Sequence, residues 1–185
     1  MKSIILPLYK ETKRLIIRPL ESFDYENWAQ AYSNMHPPQN EWDETAWDDS
    51  ELTKQKFKEH LKFEKQNRLK DHFYDFGIFR KDDGVLIGTV KLMDISRGIF
   101  QNAYLGYRIF NPYWGNGYAQ EACKAAMQIA FKNLDLHRVE AGIAPKNKKS
   151  IKTALAIGLK KEGLSKKRLK VNNRWQDIEI YAKTK

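Results

Sequence analysis

The sequence predicts a mixed α+β fold, in which helices pack against a largely antiparallel sheet. Three strand-like segments follow one another without a helix between residues 72 and 110, a pattern typical of an antiparallel meander. After residue 118 the pattern changes, and helical and strand-like segments alternate. The predicted order is therefore strand, helix, helix, a three-strand meander, helix, strand, helix and two final strands.

Local signals place the elements of the first half. A strand is expected at residues 15–20, ending near a proline that cannot donate to a sheet ladder. Ser22 or Asp24 is suited to cap a following helix, and the prolines at 37–38 end it. A looser helical pattern, apolar on one face and charged on the other, follows at residues 52–63.

The later elements follow from hydrophobic periodicity and turn residues. The meander strands are expected at residues 72–79, 85–93 and 103–110, with Gly84 in the first hairpin turn. The remaining elements are expected at residues 119–130 (helix), 137–144 (strand), 150–159 (helix), 164–171 (strand) and 175–182 (strand). Asn172 and Asn173 tolerate left-handed geometry and should form the last turn.

The bulk composition predicts a single cytoplasmic domain spanning residues 1–185. The one cysteine, Cys123, cannot form an internal disulfide, which favours a reducing compartment, and its Ala-rich helical surroundings predict a buried packing role. No apolar run approaches the roughly 18 residues of a membrane span. The first eight residues are too short for a signal peptide and are interrupted by Pro7.

Charge is unevenly distributed along the chain. The formal net charge is +10, and the last fifty residues are mostly basic. A basic protein favours phosphate-bearing partners such as nucleic acid, a ribosome or a phosphorylated cofactor. Residues 41–51 instead form an acidic segment without Lys or Arg, carrying Glu41, Asp43, Glu44, Asp48, Asp49 and Glu51. An ordinary solvated surface would explain the basic segment and the acidic segment equally well.

The motif with the clearest chemistry is Trp114-Gly115-Asn116-Gly117-Tyr118-Ala119, which lies between a predicted strand and a predicted helix. The first turn of a helix has unpaired N–H groups, and glycines let a phosphate approach them, so this loop predicts a pyrophosphate site. An ordinary tight turn is the alternative. The loop lacks the Gly-Lys-Ser/Thr ending of a P-loop and the third glycine of a dinucleotide fingerprint.

A second motif, Asn147-Lys-Lys-Ser150, also follows a strand and opens a helix. Taken alone, Asn147 is best interpreted as a helix N-cap, with Ser150 in the first turn.

Together these motifs resemble the GNAT superfamily of acyl-CoA N-acyltransferases, and most closely the RimJ/RimL branch of ribosomal-protein N-terminal acetyltransferases. The likeness covers nearly the whole chain. It is carried by Arg14–Leu20, Leu105-Gly-Tyr107, the loop at 114–119, His137–Glu140, Asn147-x-x-Ser150 and Trp175-x-Asp177. Arg97-Gly98 and the following Ala103–Tyr107 resemble RimJ in particular.

The resemblance implies the GNAT fold, with helices on both faces of a sheet that splays between two parallel central strands, Tyr104–Phe110 and Arg138–Ala144. It implies acetyl-CoA as co-substrate and no metal. The implied cofactor-binding residues are Tyr107, Arg108, Ile109, Trp114, Gly115, Asn116, Gly117, Tyr118, Ala119 and Asn147.

Several positions depart from the family pattern. Pro112 stands where many relatives have Gln or Arg, and Ala154 stands where many have a Tyr that serves as the acid for the thiolate. Ser150 is the expected replacement for that Tyr, as in the RimJ/RimL branch. Tyr104 stands where many relatives have a Glu that is a candidate base. Ser150 and Tyr104 are therefore the predicted catalytic residues, and the general base is not identified.

The expected acceptor is an amine, favoured to be the N-terminal α-amine of a basic protein such as a ribosomal protein. An α-amine has a pKa near 8 and is partly neutral at pH 7, so it needs no strong base. Glu41, Asp43 and Glu44 are predicted to bind its basic tail. The alternatives are a small amine, such as an antibiotic or a polyamine, and a non-catalytic ribosome- or RNA-binding module. No membrane partner and no direct nucleic-acid contact are expected.

Overall fold

A mixed sheet occupies the centre of the molecule. The computed structural model describes residues 8–171 and 173–185, and within them eight strands pair in the order β1-β2-β3-β4-β5-β6-β8-β7. The strands are β1 Lys10–Glu11, β2 Leu15–Arg18, β3 Tyr74–Arg80, β4 Leu86–Ser96, β5 Asn102–Ile109, β6 Arg138–Ile143, β7 Lys160–Val171 and β8 Arg174–Thr184. The α-helices are α1 Tyr25–Ser33, α2 Lys54–Leu69, α3 Tyr118–Gln128 and α4 Lys148–Ala156.

The predicted order of elements is confirmed, with small differences at the boundaries. The two-residue strand β1 was not predicted, because a segment this short carries no periodicity. Helix α4 begins at Lys148, two residues before the predicted start, because Asn147 caps it. Asn173 has a φ of +60°, as the predicted last turn requires. Asn172, the other predicted turn residue, lies outside the described residues, as does the segment 1–7 that was predicted not to be a signal peptide.

Helices cover both faces of the sheet, as predicted. On one face, α3 packs its small residues Ala122 and Ala126 against strand side chains such as Ile17 and Val90. Cys123 lies fully buried in this core, which confirms its predicted packing role, and burial raises the pKa of its thiol. On the other face, α1 and α2 enclose an aromatic cluster of Trp28, Phe57, Phe79 and Phe110.

The two central strands part, as the resemblance implies. β5 and β6 are parallel and pair only from Asn102–Arg138 to Tyr104–Glu140. Both strands continue beyond that point, β5 to Ile109 and β6 to Ile143, without pairing to each other. Their facing backbone groups need other partners, so the gap suits a ligand that offers donors and acceptors of its own.

In the described part of the chain, no helix is long and apolar enough to cross a membrane.

Candidate active site

A cleft of about 580 Å³ opens where β5 parts from β6. Its walls come from the end of β5, the loop before α3 and the first turns of α4. It brings together every residue predicted to bind the cofactor, and also Ser150 and Asp43. Tyr104, Glu41 and Glu44 are not part of its lining, whereas Asn40 and Trp42, which were not predicted, are.

The glycine loop has the backbone that a phosphate cradle requires. Gly115 has a φ of +83° and Gly117 a φ of +75°, and Gly117 is the N-cap of α3. A Cβ at Gly115 would meet nothing within 4 Å, and one at Gly117 would meet only Arg14, at 3.8 Å. The left-handed conformation, rather than crowding inside the protein, therefore demands glycine. The open space in front of the loop and the unpaired amides of the first turn of α3 fit a bound pyrophosphate.

Arg14 holds this loop from the β1–β2 turn. Its Nη1 donates to the carbonyl oxygen of Asn116 at 2.9 Å, and its Nε donates to Glu121 Oε2 at 2.8 Å. Its guanidinium also lies 4.6 Å from the ring centre of Tyr118. Partial burial opposes the charge of Glu121, but hydrogen bonds from Thr12 and Arg14 outweigh it and lower the pKa of Glu121. No local sequence pattern predicts this contact between Arg14 and the loop, because the two segments are far apart in the chain.

Two side chains of the loop fix its connection to the sheet. Asn116 Nδ2 donates to the carbonyl oxygens of Tyr113 and Trp114, both at 3.1 Å. Trp114 Nε1 donates to the carbonyl oxygen of Ile109 at 2.6 Å, at the end of β5. Lys149 from α4 lies 4.3 Å above the Trp114 ring. Trp114 therefore joins the loop, the parted strand and α4 in one arrangement.

Ser150 lies in the cleft with its hydroxyl against Tyr107. Tyr107 Oη lies 2.9 Å from the Ser150 carbonyl oxygen, to which it can donate, and 2.7 Å from Ser150 Oγ, where either hydroxyl can be the donor. Burial raises the pKa of Tyr107, which keeps the phenol neutral. Asn147 Oδ1 accepts from the Ser150 backbone amide at 3.1 Å, so Asn147 caps α4 as predicted while also lining the cleft.

Tyr104 lies on the opposite face of the sheet. Ala103, Leu105 and Ile109 of β5 face the α3 core, so Tyr104 points away from it at the position where the strands part. Its hydroxyl accepts from Arg168 Nη2 at 2.7 Å. Burial, together with a hydrogen bond to Glu140, raises the pKa of Tyr104. A neutral phenol at the mouth of the gap can orient an acceptor, but it supplies little phenolate to act as a base.

The acidic segment lies beside the cleft, but two of its predicted substrate-binding acids make internal contacts. Glu44 forms an ion pair with Arg108 and accepts from Trp47 Nε1 at 3.1 Å. Asp43 Oδ2 accepts from Asn111 Nδ2 at 3.0 Å. Glu41, Asp48, Asp49 and Glu51 remain exposed. Of the three predicted substrate-binding acids, Glu41 is therefore exposed, Asp43 lines the cleft and Glu44 is paired with Arg108.

Comparison with known proteins identifies the family. The Acetyltransferase (GNAT) domain model matches residues 14–160.

The chain belongs to the GNAT acetyltransferase family.

Three relatives align with this GNAT chain over almost its full length. The probable N-acetyltransferase YjcK of Bacillus subtilis is 36% identical over 92% of this chain and 93% of its own. The [ribosomal protein uS5]-alanine N-acetyltransferase of Escherichia coli is 28% identical, over 94% and 89% of the two chains. The crystal structure of a ribosomal-protein-S5-alanine acetyltransferase from Vibrio fischeri matches with a TM-score of 0.76 and 26% identity, over 95% and 96%.

These findings confirm the predicted fold class and the predicted enzyme class, an N-acetyltransferase. GNAT acetyltransferases use acetyl-CoA as the acetyl donor.

Proposed function

We propose that this enzyme transfers the acetyl group of acetyl-CoA to the N-terminal α-amine of a protein, and that its acceptor is a ribosomal protein. The observation that carries the proposal is that the side chain at the expected base position, at the mouth of the gap, is a phenol that stays neutral rather than a carboxylate. Tyr104 occupies the position of that base, and Glu140 beside it is engaged by Arg138 and Asn102. An α-amine, unlike a lysine or polyamine amine, is partly neutral at pH 7 without help.

The names of two relatives support the same acceptor class. The Escherichia coli protein that aligns over 94% of this chain is named for acetylating an alanine of ribosomal protein uS5. The Vibrio fischeri structure carries a corresponding name.

In the proposed reaction the amine nitrogen attacks the thioester carbonyl carbon, and the carbon–sulfur bond breaks. The amides of residues 115–119 hold the pyrophosphate of the donor, and a backbone N–H of β5 near Tyr107 polarises the carbonyl. Ser150 donates a hydrogen bond or a proton to the departing sulfur, and solvent replaces a proton that Ser150 has given up. The Tyr107 hydroxyl beside it orients the Ser150 side chain. Water takes the proton that the amine releases.

The test is an assay of CoA release with four acceptors. They are a basic peptide beginning with Ala or Ser, the same peptide with a blocked N-terminus, spermidine and a free amino sugar. We expect turnover of the free peptide only. Equal turnover of the blocked peptide would show a lysine acceptor. Turnover confined to spermidine or the amino sugar would show a small-amine acetyltransferase and overturn the proposal.

A further inference from the structure

The last two strands form a ribbon with an irregularity close to Tyr104. Ser165 pairs with Ile178 and Leu169 pairs with Gln176, so residues 166–168 lie opposite the single residue Asp177. Lys167 in this bulge has a φ of +48°. Asp177 Oδ1 accepts from the Lys167 backbone amide at 2.8 Å. Asp177 therefore fixes the bulge, which gives a physical role to the Trp175-x-Asp177 motif.

The bulge decides where Arg168 points. A Cβ placed on Gly142 would lie 3.0 Å from Ile178 and 3.9 Å from Tyr104, so those two side chains share a face of the sheet. Gln176 shares that face because it lies two residues before Ile178, and Leu169 shares it through its pairing with Gln176.

In a regular strand the neighbour of Leu169, Arg168, would point to the opposite face. The structure instead places Arg168 Nη2 2.7 Å from the Tyr104 hydroxyl. The bulge has thus turned one side chain toward the gap, a common use of such irregularities.

Arg168 is available to a ligand there. Its side chain is exposed, and none of the described carboxylates pairs with it. A guanidinium has five N–H donors, and the Tyr104 hydroxyl takes one. The remaining donors lie at the mouth of the gap, on the face opposite α3.

We propose that Arg168, aimed by the bulge that Asp177 fixes, binds the carbonyl oxygen next to the acceptor amine and so selects α-amino carbonyl compounds. This assignment rests on the proposed function. A peptide N-terminus always carries a carbonyl oxygen two bonds beyond the carbon that bears its amine, whereas a polyamine has none. A charged donor favours such an oxygen and offers nothing to a second ammonium group.

The experiment compares variants on two acceptors that differ only in that group, alaninamide and isopropylamine, at about pH 10, where an appreciable fraction of both amines is neutral. With alaninamide, Arg168→Ala should raise the acceptor KM about tenfold, the size expected for one lost hydrogen bond from a charged donor. The acetyl-CoA KM should stay unchanged, and Arg168→Lys should restore part of the loss. With isopropylamine, Arg168→Ala should change nothing. The different amine pKa values cancel, because each variant is compared with the wild type on the same acceptor.

Three further variants separate the orientation of Arg168 from an effect on folding. Asp177→Ala should raise the alaninamide KM in the same direction, whereas Asp177→Asn keeps an oxygen that can accept from Lys167 and should resemble the wild type. Lys170→Ala, an exposed cation on the same ribbon, should have no effect.

An equal loss on both acceptors, or a raised acetyl-CoA KM, would show a structural role and overturn the assignment. A wild type that acetylates peptides while Arg168→Ala behaves normally would overturn the assignment alone. A wild type that acetylates only spermidine would overturn the proposed function and the assignment together.

Discussion

The proposed donor side of the gap is the cleft with the glycine loop at 114–119, and the proposed acceptor side is the mouth of the gap at Tyr104 and Arg168. The two sides differ in how much of their structure is fixed before a ligand binds. On the donor side, Gly115 and Gly117 have left-handed backbone, and Arg14 is paired with Glu121 and hydrogen-bonded to the Asn116 carbonyl oxygen, which keeps the loop in place. On the acceptor side, Arg168 has the Tyr104 hydroxyl but none of the described carboxylates as a partner, and Glu41, Asp48, Asp49 and Glu51 are exposed. The proposed donor site is therefore a fixed backbone cradle, whereas the proposed acceptor site consists of individual side chains.

This contrast has a physical basis. A pyrophosphate is recognised by amides and helix geometry, which depend on few side-chain identities beyond glycine. An acceptor is recognised by individual side chains, which can change without disturbing the fold. Substitutions on the donor side should therefore produce larger effects than those on the acceptor side.

The largest effect is expected from Gly117→Val. At a φ of +75° a β-branched residue is strained by roughly 1–3 kcal/mol and also projects into the phosphate position. The acetyl-CoA KM should rise about thirtyfold, since weakened phosphate contacts cost on the order of 2 kcal/mol. Steady-state kinetics on the folded variant measures this.

Gly84→Val is the matched control. Gly84 has a φ of +71° and open space around it, but it lies in a hairpin turn outside the cleft. It should lose similar stability with a normal acetyl-CoA KM. An equal KM change in both variants would mean that strain alone, and not the phosphate site, is responsible.

Ser150→Ala should come next, with kcat about tenfold lower and little change in the acetyl-CoA KM, because a hydrogen bond to the sulfur strengthens only as the bond breaks. Tyr107→Phe, which frees the Ser150 hydroxyl from its partner, should lower kcat less. If Ser150→Ala lowers only the melting temperature, the residue serves as part of the first turn of α4.

The pH dependence should separate orientation from base catalysis at Tyr104. Because burial and Glu140 raise the pKa of Tyr104, its phenol stays protonated from pH 6 to 9. Over that range kcat/KM for a peptide should rise with pH as the α-amine loses its proton near pH 8. Tyr104→Phe should lower kcat/KM about threefold at every pH, because one neutral hydrogen bond to the acceptor is lost. The pH at which kcat/KM rises should not change. A profile whose rising limb disappears in the variant would assign the base to Tyr104.

The smallest effect is expected from the exposed acids. Asp48→Asn with Asp49→Asn should raise the KM of a basic peptide about twofold at low salt and less at high salt, because solvent screens exposed charges. Asp82→Asn, an exposed acid of the β3–β4 turn, is the control. A change that persists at high salt would indicate direct contact rather than a long-range field.

The same contrast explains what the sequence could predict. Periodicity and turn residues placed the elements, and the loop at 114–119 predicted a pyrophosphate site, because both signals lie within short stretches of chain. The contact between Arg14 and the loop, the Glu44–Arg108 pair and the aim of Arg168 each join distant segments. These contacts depend on strand register, and the position of Arg168 depends also on a bulge. The alternation of apolar and polar residues in the sequence predicts neither the register nor the bulge.

The most direct test of the donor site is a thermal titration of the wild-type protein with acetyl-CoA. Ligand bound at a hundred times its Kd stabilises the native state by about 2.7 kcal/mol, which corresponds to a Tm rise of roughly 5–10 °C for a chain of this size. Dephospho-CoA, which lacks one phosphate, should raise the Tm less at the same concentration. An unchanged Tm at millimolar acetyl-CoA would contradict the assignment of the cleft and its glycine loop as the donor site.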